Sequence, residues 1–391
     1  MTDTRAFAFF ERAFRPFFLS AAVFSVFAAL AWAGYWLGTP IGIPLFDWNW
    51  WHGHEMVFGF AVPAVVGFLL TAAQNWTGIA TVSGMRLALL YVVWLLPRVL
   101  MWFPDVVAVQ VVAAIDVAFL PLSAWFLGSA LVRAKNWRNG VFVGILLLLA
   151  FTNASSYFWA DVGQRLLSAQ ALLGAVFWVL LVVVIMGGRV IPFFTAKRLG
   201  LPQRAPIGMV ESLSLGLVAV VALIYSLGLH PIIPSVVMAL FYGVATVAHA
   251  VRLGRWHGER TGAVPLLWSL HSAYGLLVVG LFLMFLVELQ VMQNLTTALH
   301  FLTIGGIGLL VLAMMSRVSL GHTGRPLQVG RWIPVAYLAI GLSALLRVFG
   351  TLILGSEQTL WVYSGSALLW AVGFLIFAVK YGPILWQPSQ K

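Results

Sequence analysis

The sequence predicts an all-α fold: a polytopic membrane bundle of about twelve transmembrane helices with both chain ends in the cytoplasm. Three observations carry that expectation. Hydrophobic residues make up 62% of the 391 and charged residues only 8%, against about 25% charged in a soluble domain. The apolar residues gather into windows long enough to cross a hydrocarbon layer. The basic residues fall in alternate gaps between those windows, the pattern of cytoplasmic loops. No linker or strong internal repeat divides the chain, so residues 1–391 are expected to form a single integral membrane domain.

In order, the windows cover residues 17–37, 55–74, 86–103, 106–131, 140–158, 167–186, 210–228, 234–251, 265–287, 296–315, 333–354 and 360–380. Arg5, Arg12 and Arg15 precede the first, and Arg86 starts the third. Arg133, Lys135 and Arg138 follow the fourth, and Arg189, Lys197, Arg198 and Arg204 the sixth. Arg252, Arg255 and Arg260 follow the eighth, Arg317, Arg325 and Arg331 the tenth, and Lys380 and Lys391 end the chain. The other loops hold Asp47, Asp105, Asp161 and Glu357. The basic start runs into a full-length span without a small-residue cleavage pattern, so no cleavable signal peptide is expected.

The net charge of +11 follows from these loops, and no nucleic-acid partner is expected. Cysteine is absent. Disulfides, thiolate-held iron–sulfur clusters and covalent haem attachment are thereby excluded. A metal must use His, Met, carboxylate or Tyr.

The stretch Trp51-His52-Gly53-His54-Glu55-Met56 opens the second window. Ionisable groups at a membrane helix need a reason to be there, and a metal centre is one. A Trp-rich interfacial belt with incidental histidines is the alternative. Residues two apart on a helix point about 200° apart. His52 and His54 therefore share an ion only if Gly53 lies outside the helix, and otherwise serve two sites. Pro63 is expected to kink this span.

Topology places His52, His54, Glu55, His300, Glu288, Arg98 and Arg347 near the outer face, with Asp116 deeper in the fourth span. His300 precedes Gly305, Gly306 and Gly308, which admit either a flat macrocycle or a closely packed helix. Arg98 and Arg347 suit haem propionates or a structural ion pair. Asp116 and Glu288, with Glu55, are the candidates for proton handling. Near the other face, His271 shares a helix side with Tyr274 and Gly275, as a ligand or as a satisfied core histidine. His322 sits in a Gly-rich basic turn, where it binds an anion or reaches back to a metal. His271 and His300 differ in depth by roughly 15 Å, too far to share one iron.

Four stretches carry a resemblance to a known family: Phe14-Arg15-Pro16-Phe17-Phe18-Leu19; Trp51 to Met56 with Gly67 to Thr71 and Asn75 to Gly78; Gly187 to Thr195; and Ser316 to Arg325. On these the chain resembles the NnrS family of bacterial inner-membrane proteins. The resemblance implies twelve membrane helices, bound haem and copper, and a role in nitric oxide metabolism or tolerance. The leading expectation is a haem b protein, with copper as a second metal, that binds nitric oxide and reduces it to N2O with electrons from quinol. Its metal ligands are sought among His52, His54, His271, His300 and His322. Its cofactor contacts are sought among Arg98, Tyr274, Arg317 and Arg347. A non-enzymatic haem–NO binding or sensing protein is the alternative, and a copper or small-solute transporter a third.

Overall fold

Residues 8–354 and 358–390 are described by the structure, a computed structural model. Arg5, Glu357 and Lys391, which entered the loop-charge reading, lie outside them. The chain is 80% helical, with no strand among the described residues. Twelve helical rods follow one another: α1 Phe14–Trp36, α2 Trp48–Thr77, α3 Gly84–Leu100, α4 Val109–Arg133, α5 Val141–Asp161, α6 Arg165–Leu199, α7 Gly208–Ser226, α8 Ser235–Gly254, α9 Pro265–Glu288, α10 Leu295–His322, α11 Trp332–Gly350 and α12 Thr359–Trp386. All except α3 are long and apolar enough to cross a membrane. The span expected at 86–103 is realised as α3, of 17 residues, about 26 Å at 1.5 Å per residue against a hydrocarbon layer of about 30 Å. In the other direction, α6 runs to 35 residues where a span ending near 186 was expected. Gly187 and Gly188 do not stop it, and its last turns carry Arg189, Lys197 and Arg198 until Gly200, at φ +65°, caps it.

Consecutive helices pack on one another and α12 packs along α1. Arg15 ties the two ends of the chain. Its Nη1 donates to the carbonyls of Leu385 (3.0 Å) and Gln387 (2.5 Å), and its Nη2 to Ser389 Oγ (2.9 Å). The described ends of the chain thus lie beside each other at one end of the bundle. Helices α2, α6 and α10 touch one another and are the most buried of the spans. They form the centre around which the polar residues are arranged.

Three of the rods contain π-helical turns: Glu55–Ala61 in α2, Phe301–Gly308 in α10 and Leu346–Gly350 in α11. Such turns are rare and frequent at functional sites. The first has a legible cause. Val62 N–H donates to the carbonyl of Val57, five residues back. The next donor in that register would be residue 63, a proline without an N–H. The orphaned Phe58 carbonyl is served from α3 instead, by Trp94 Nε1 (3.2 Å) and Arg98 Nη1 (3.4 Å). Gly59 makes room for this turn, since a Cβ there would fall on the Phe24 ring and 2.8 Å from Glu55 Oε2. Gly59→Ala is therefore expected to destabilise the protein by about 1–3 kcal/mol through overpacking. Thermal unfolding in detergent checks this, and an unchanged midpoint contradicts it.

Candidate functional site

Asp47 caps α2, its carboxylate accepting the N–H groups of Asn49 and Trp50 at 2.9 Å each. The helix is regular through His54, so Gly53 lies within it. His52 and His54 accordingly project in different directions and enter two separate sites.

His54 joins a buried ion network spanning α2, α3, α4 and α5. Its Nδ1 is 2.8 Å from Glu55 Oε1, and its Nε2 is 2.9 Å from Asn153 Oδ1 and 3.3 Å from Asp116 Oδ2. The atoms facing the ring are carboxylate and amide oxygens, so both ring nitrogens are engaged by the network. Arg98 places Nε 2.8 Å from Glu55 Oε2 and forms a short ion pair through Nη2 with Asp116 Oδ1. Asn153 Nδ2 (3.0 Å) and the Tyr157 hydroxyl (3.2 Å) donate to Asp116 Oδ2. Two carboxylates thus meet a guanidinium and an imidazole. Buried charges persist when they are paired and hydrogen-bonded in this way. With both ring nitrogens engaged, His54 offers no lone pair to a metal. The His52, His54 and His300 group expected from depth is therefore not assembled, because the carboxylates draw His54 to the opposite side of α2. Arg98 is likewise turned toward Glu55 and Asp116.

His52 faces a cavity of about 160 Å³ between α1, α2, α6, α10, α11 and α12. All three π-helical turns border it, through Met56, Val57, Phe60 and Ala61 in α2, Thr303, Ile304 and Ile307 in α10, and Arg347 in α11. Trp32 stacks on His52, ring centroids 4.1 Å apart and planes 12° apart. The His300 ring lies 6.1 Å from that of His52 and within 6° of parallel. His300 Nδ1 donates to the Thr296 carbonyl at 2.6 Å, which leaves its Nε2 lone pair available. His52 Nδ1 is buried without a hydrogen-bond partner, and so is Arg347 Nη1. The Arg347 guanidinium lies over the Tyr363 ring at 3.4 Å. Two imidazoles and an incompletely paired guanidinium therefore converge on a mainly apolar, aromatic chamber, whose other polar lining residues, Thr303, Ser343 and Ser366, turn their hydroxyls to backbone carbonyls. Such orphaned polar atoms call for an account.

The glycines after His300 serve helix packing. A Cβ on Gly305 or Gly306 would press on Leu276 or Leu277 of α9 at 3.0 Å, and one on Gly308 would enter the Trp370 ring. Trp370 in turn lines the cavity.

The remaining candidates lie elsewhere. Glu288 accepts from His230 Nε2 at 3.0 Å and does not join the His54 network. His271 has backbone carbonyls near both nitrogens, Leu267 at 3.0 Å and Trp256 at 3.3 Å, and donates to one of them, the core-histidine alternative. His322 packs its ring 5.7 Å from that of Phe14, and the Arg317 guanidinium lies 3.7 Å above the Phe194 ring. Tyr274 is drawn into a second buried cluster. Its hydroxyl accepts from Arg252 Nη1 (2.7 Å) and is hydrogen-bonded to His249 Nδ1 (2.6 Å), while Arg252 pairs with Glu211 through Nε and Nη2, both at 2.9 Å. Gly188 of α6 makes room for the Arg252 guanidinium, which occupies the place a Cβ would take. Sequence reasoning missed this cluster. Its one signal was His249 and Arg252 three apart on a helix. Trp32 and Tyr363, which frame the His52 cavity, gave no signal beyond being aromatic. Among the described residues no three His, Asp or Glu side chains form a metal-ligand cluster; the His52–His300 pair is a two-histidine arrangement.

Compared with known proteins, the chain matches the model of the family described as NnrS protein over residues 8–389. No curated protein matches it.

Proposed function

The chain belongs to the NnrS family, a membership that fits a multi-pass membrane protein connected with nitric oxide, and from that premise we propose that it holds a redox metal between His52 and His300 and reduces nitric oxide there. The membrane is the bacterial inner membrane, with the His52 end of the bundle outward, as the basic loops favour. The metals proposed are copper and haem iron; the chamber of about 160 Å³ takes a bare copper ion as it stands, whereas a haem would require its walls to part.

One observation carries this reading: His52 and His300, near-parallel at 6.1 Å, both bring ring nitrogens without a protein partner to one buried chamber. The donor set fits. Two nitrogens about 2.0–2.1 Å from one ion stand roughly 4 Å apart, within what rings at this spacing reach. His300 Nδ1–H on the Thr296 carbonyl is the outer hydrogen bond that metal-bound histidines make. Arg347 supplies the cation a haem propionate pairs with. Met56, in the wall, adds a soft thioether suited to Cu(I). Imidazole serves haem iron and copper alike.

A metal held here would pass electrons to nitric oxide; copper held by both imidazoles would keep an open position, whereas haem iron would keep one only with a single imidazole ligand. The balance is two NO, two protons and two electrons to N2O and water, with quinol as the proposed electron donor. The protein's residues perform the rest. Trp32, Phe60 and Trp370 exclude water. Trp32 and the Thr296 carbonyl fix the two imidazole planes. His54, Glu55 and Asp116 are the groups proposed to hold and hand on protons, and Glu55 belongs to the π-helical turn that borders the chamber. Glu288, tied to His230, is not needed for that supply.

The test is direct. Purified protein is expected to show a haem Soret band and to convert NO to N2O with a quinol analogue, followed by gas chromatography. Protein that binds NO yet releases no N2O would instead be a binding or sensing protein. Protein with neither haem nor copper would end the proposal.

A further inference from the structure

A second cavity, of about 50 Å³, lies beyond the first along the same helices. Its lining comes from α1, α2, α6 and α10 and includes Phe18, Val65, Val183, Met186, Val311 and Met314. No charged or hydrogen-bonding side chain lines it. The two cavities are consecutive stretches of one seam. On α2 the first ends at Ala61 and the second begins at Ala64; on α6 the step is Val179 to Val182; on α10 it is Ile307 to Leu310. Each step is three residues, about 4.5 Å of rise, and within each cavity the lining recurs every three or four positions on all three helices. These helices run in the same direction, so the three steps occur at one level, and less than one turn separates the chambers.

We propose that this second cavity is a docking site for a small uncharged gas molecule, which passes from it along the α2–α6–α10 seam to the His52–His300 chamber. Cavities lined only by apolar side chains stay dry and take up apolar guests such as xenon. Water and ions, which need polar partners, are excluded. The polarisable thioethers of Met186 and Met314 add dispersion contacts to the guest. Nitric oxide, a neutral diatomic that partitions into lipid, has the required chemistry. That identity rests on the functional reading above, whereas the gas site does not.

Xenon separates the two. Crystals of the full-length protein pressurised with xenon are expected to show one atom between Val65, Val183 and Val311. Xenon absent from that position overturns the site. Narrowing the seam with Val183→Phe, or more gently with Ala64→Val, is expected to remove that xenon and slow NO association with the metal-loaded protein severalfold, with cofactor content unchanged. Both variants are read by flash photolysis, so one poorly folding variant leaves the other. An unchanged association rate in a variant that has lost the xenon overturns the route. A protein that takes up xenon but never binds NO retains the gas site and fails the functional reading.

Discussion

Arg98→Met is expected to destabilise the protein by about 3–5 kcal/mol, the usual cost of removing one partner from a buried ion pair. Methionine keeps the aliphatic stem and its packing but removes the guanidinium. Glu55 and Asp116, both buried, would then face only the His54 ring. The Phe58 carbonyl would lose one of its two donors from α3. Helix α3 is short for a span, and Arg98 and Trp94 are its polar attachments to α2. A second variant separates charge from shape. Arg98→Met with Asp116→Asn removes one charge of each sign, so it is expected to recover part of the loss. A surface pair offers the contrast: Arg260 and Glu259 sit 3.9 Å apart with most of both side chains in water, and Arg260→Met is expected to change stability by less than about 1 kcal/mol. Unfolding in detergent followed by circular dichroism gives all three values. Arg98→Met at wild-type stability would show that the four groups are not coupled.

The same network marks how far the sequence was legible. The helix count followed from apolar windows and loop charge because each window must satisfy its own backbone in lipid, a constraint that acts locally. Helix geometry also separated His52 from His54, since a two-residue step turns about 200° whatever the neighbours. Depth was legible from topology, and it placed Glu55, Arg98 and Arg347 at one level. Depth does not give direction around the bundle, however. Glu288 shares that level and pairs with His230 instead. Arg98 and Arg347 looked equivalent as candidates, yet one lies against two carboxylates and the other lies over the Tyr363 ring with no carboxylate partner among the described residues. The packing order of twelve helices decides between them, and it is set by contacts far apart in the chain. The π-helical turn of α2 was half legible: Pro63 announced a break, and the register in which the break opens was not. The Glu211–Arg252–Tyr274–His249 cluster was hidden because Arg252 read as one more cation at a helix end, while its guanidinium turns inward over Gly188.

If the cavity holds the proposed metal, His52→Ala and His300→Ala are each expected to remove it, with the fold retained. Neither ring makes a hydrogen bond to another helix among the described residues, and His300 bonds only within its own helix, to Thr296. Truncating His300 removes a ring bonded only within its own helix, while truncating His52 also removes its stack on Trp32. Loss of an outer hydrogen-bond partner alone lowers metal affinity by about 10–100-fold, so loss of a ligand is expected to exceed that and to leave the purified variant without bound metal. His271→Ala and His322→Ala supply the controls. His271 lies between two carbonyls and His322 packs against Phe14, away from the chamber. Both should keep wild-type metal content, although His271→Ala leaves a small void and costs some stability. Arg347→Met distinguishes the kind of cofactor. A haem that pairs a propionate with this guanidinium would bind more weakly in the variant, whereas a bare copper ion would not depend on it. Visible spectra and elemental analysis on one set of preparations read each outcome. Metal retained by both His52→Ala and His300→Ala, at wild-type occupancy, would move the site away from this chamber altogether.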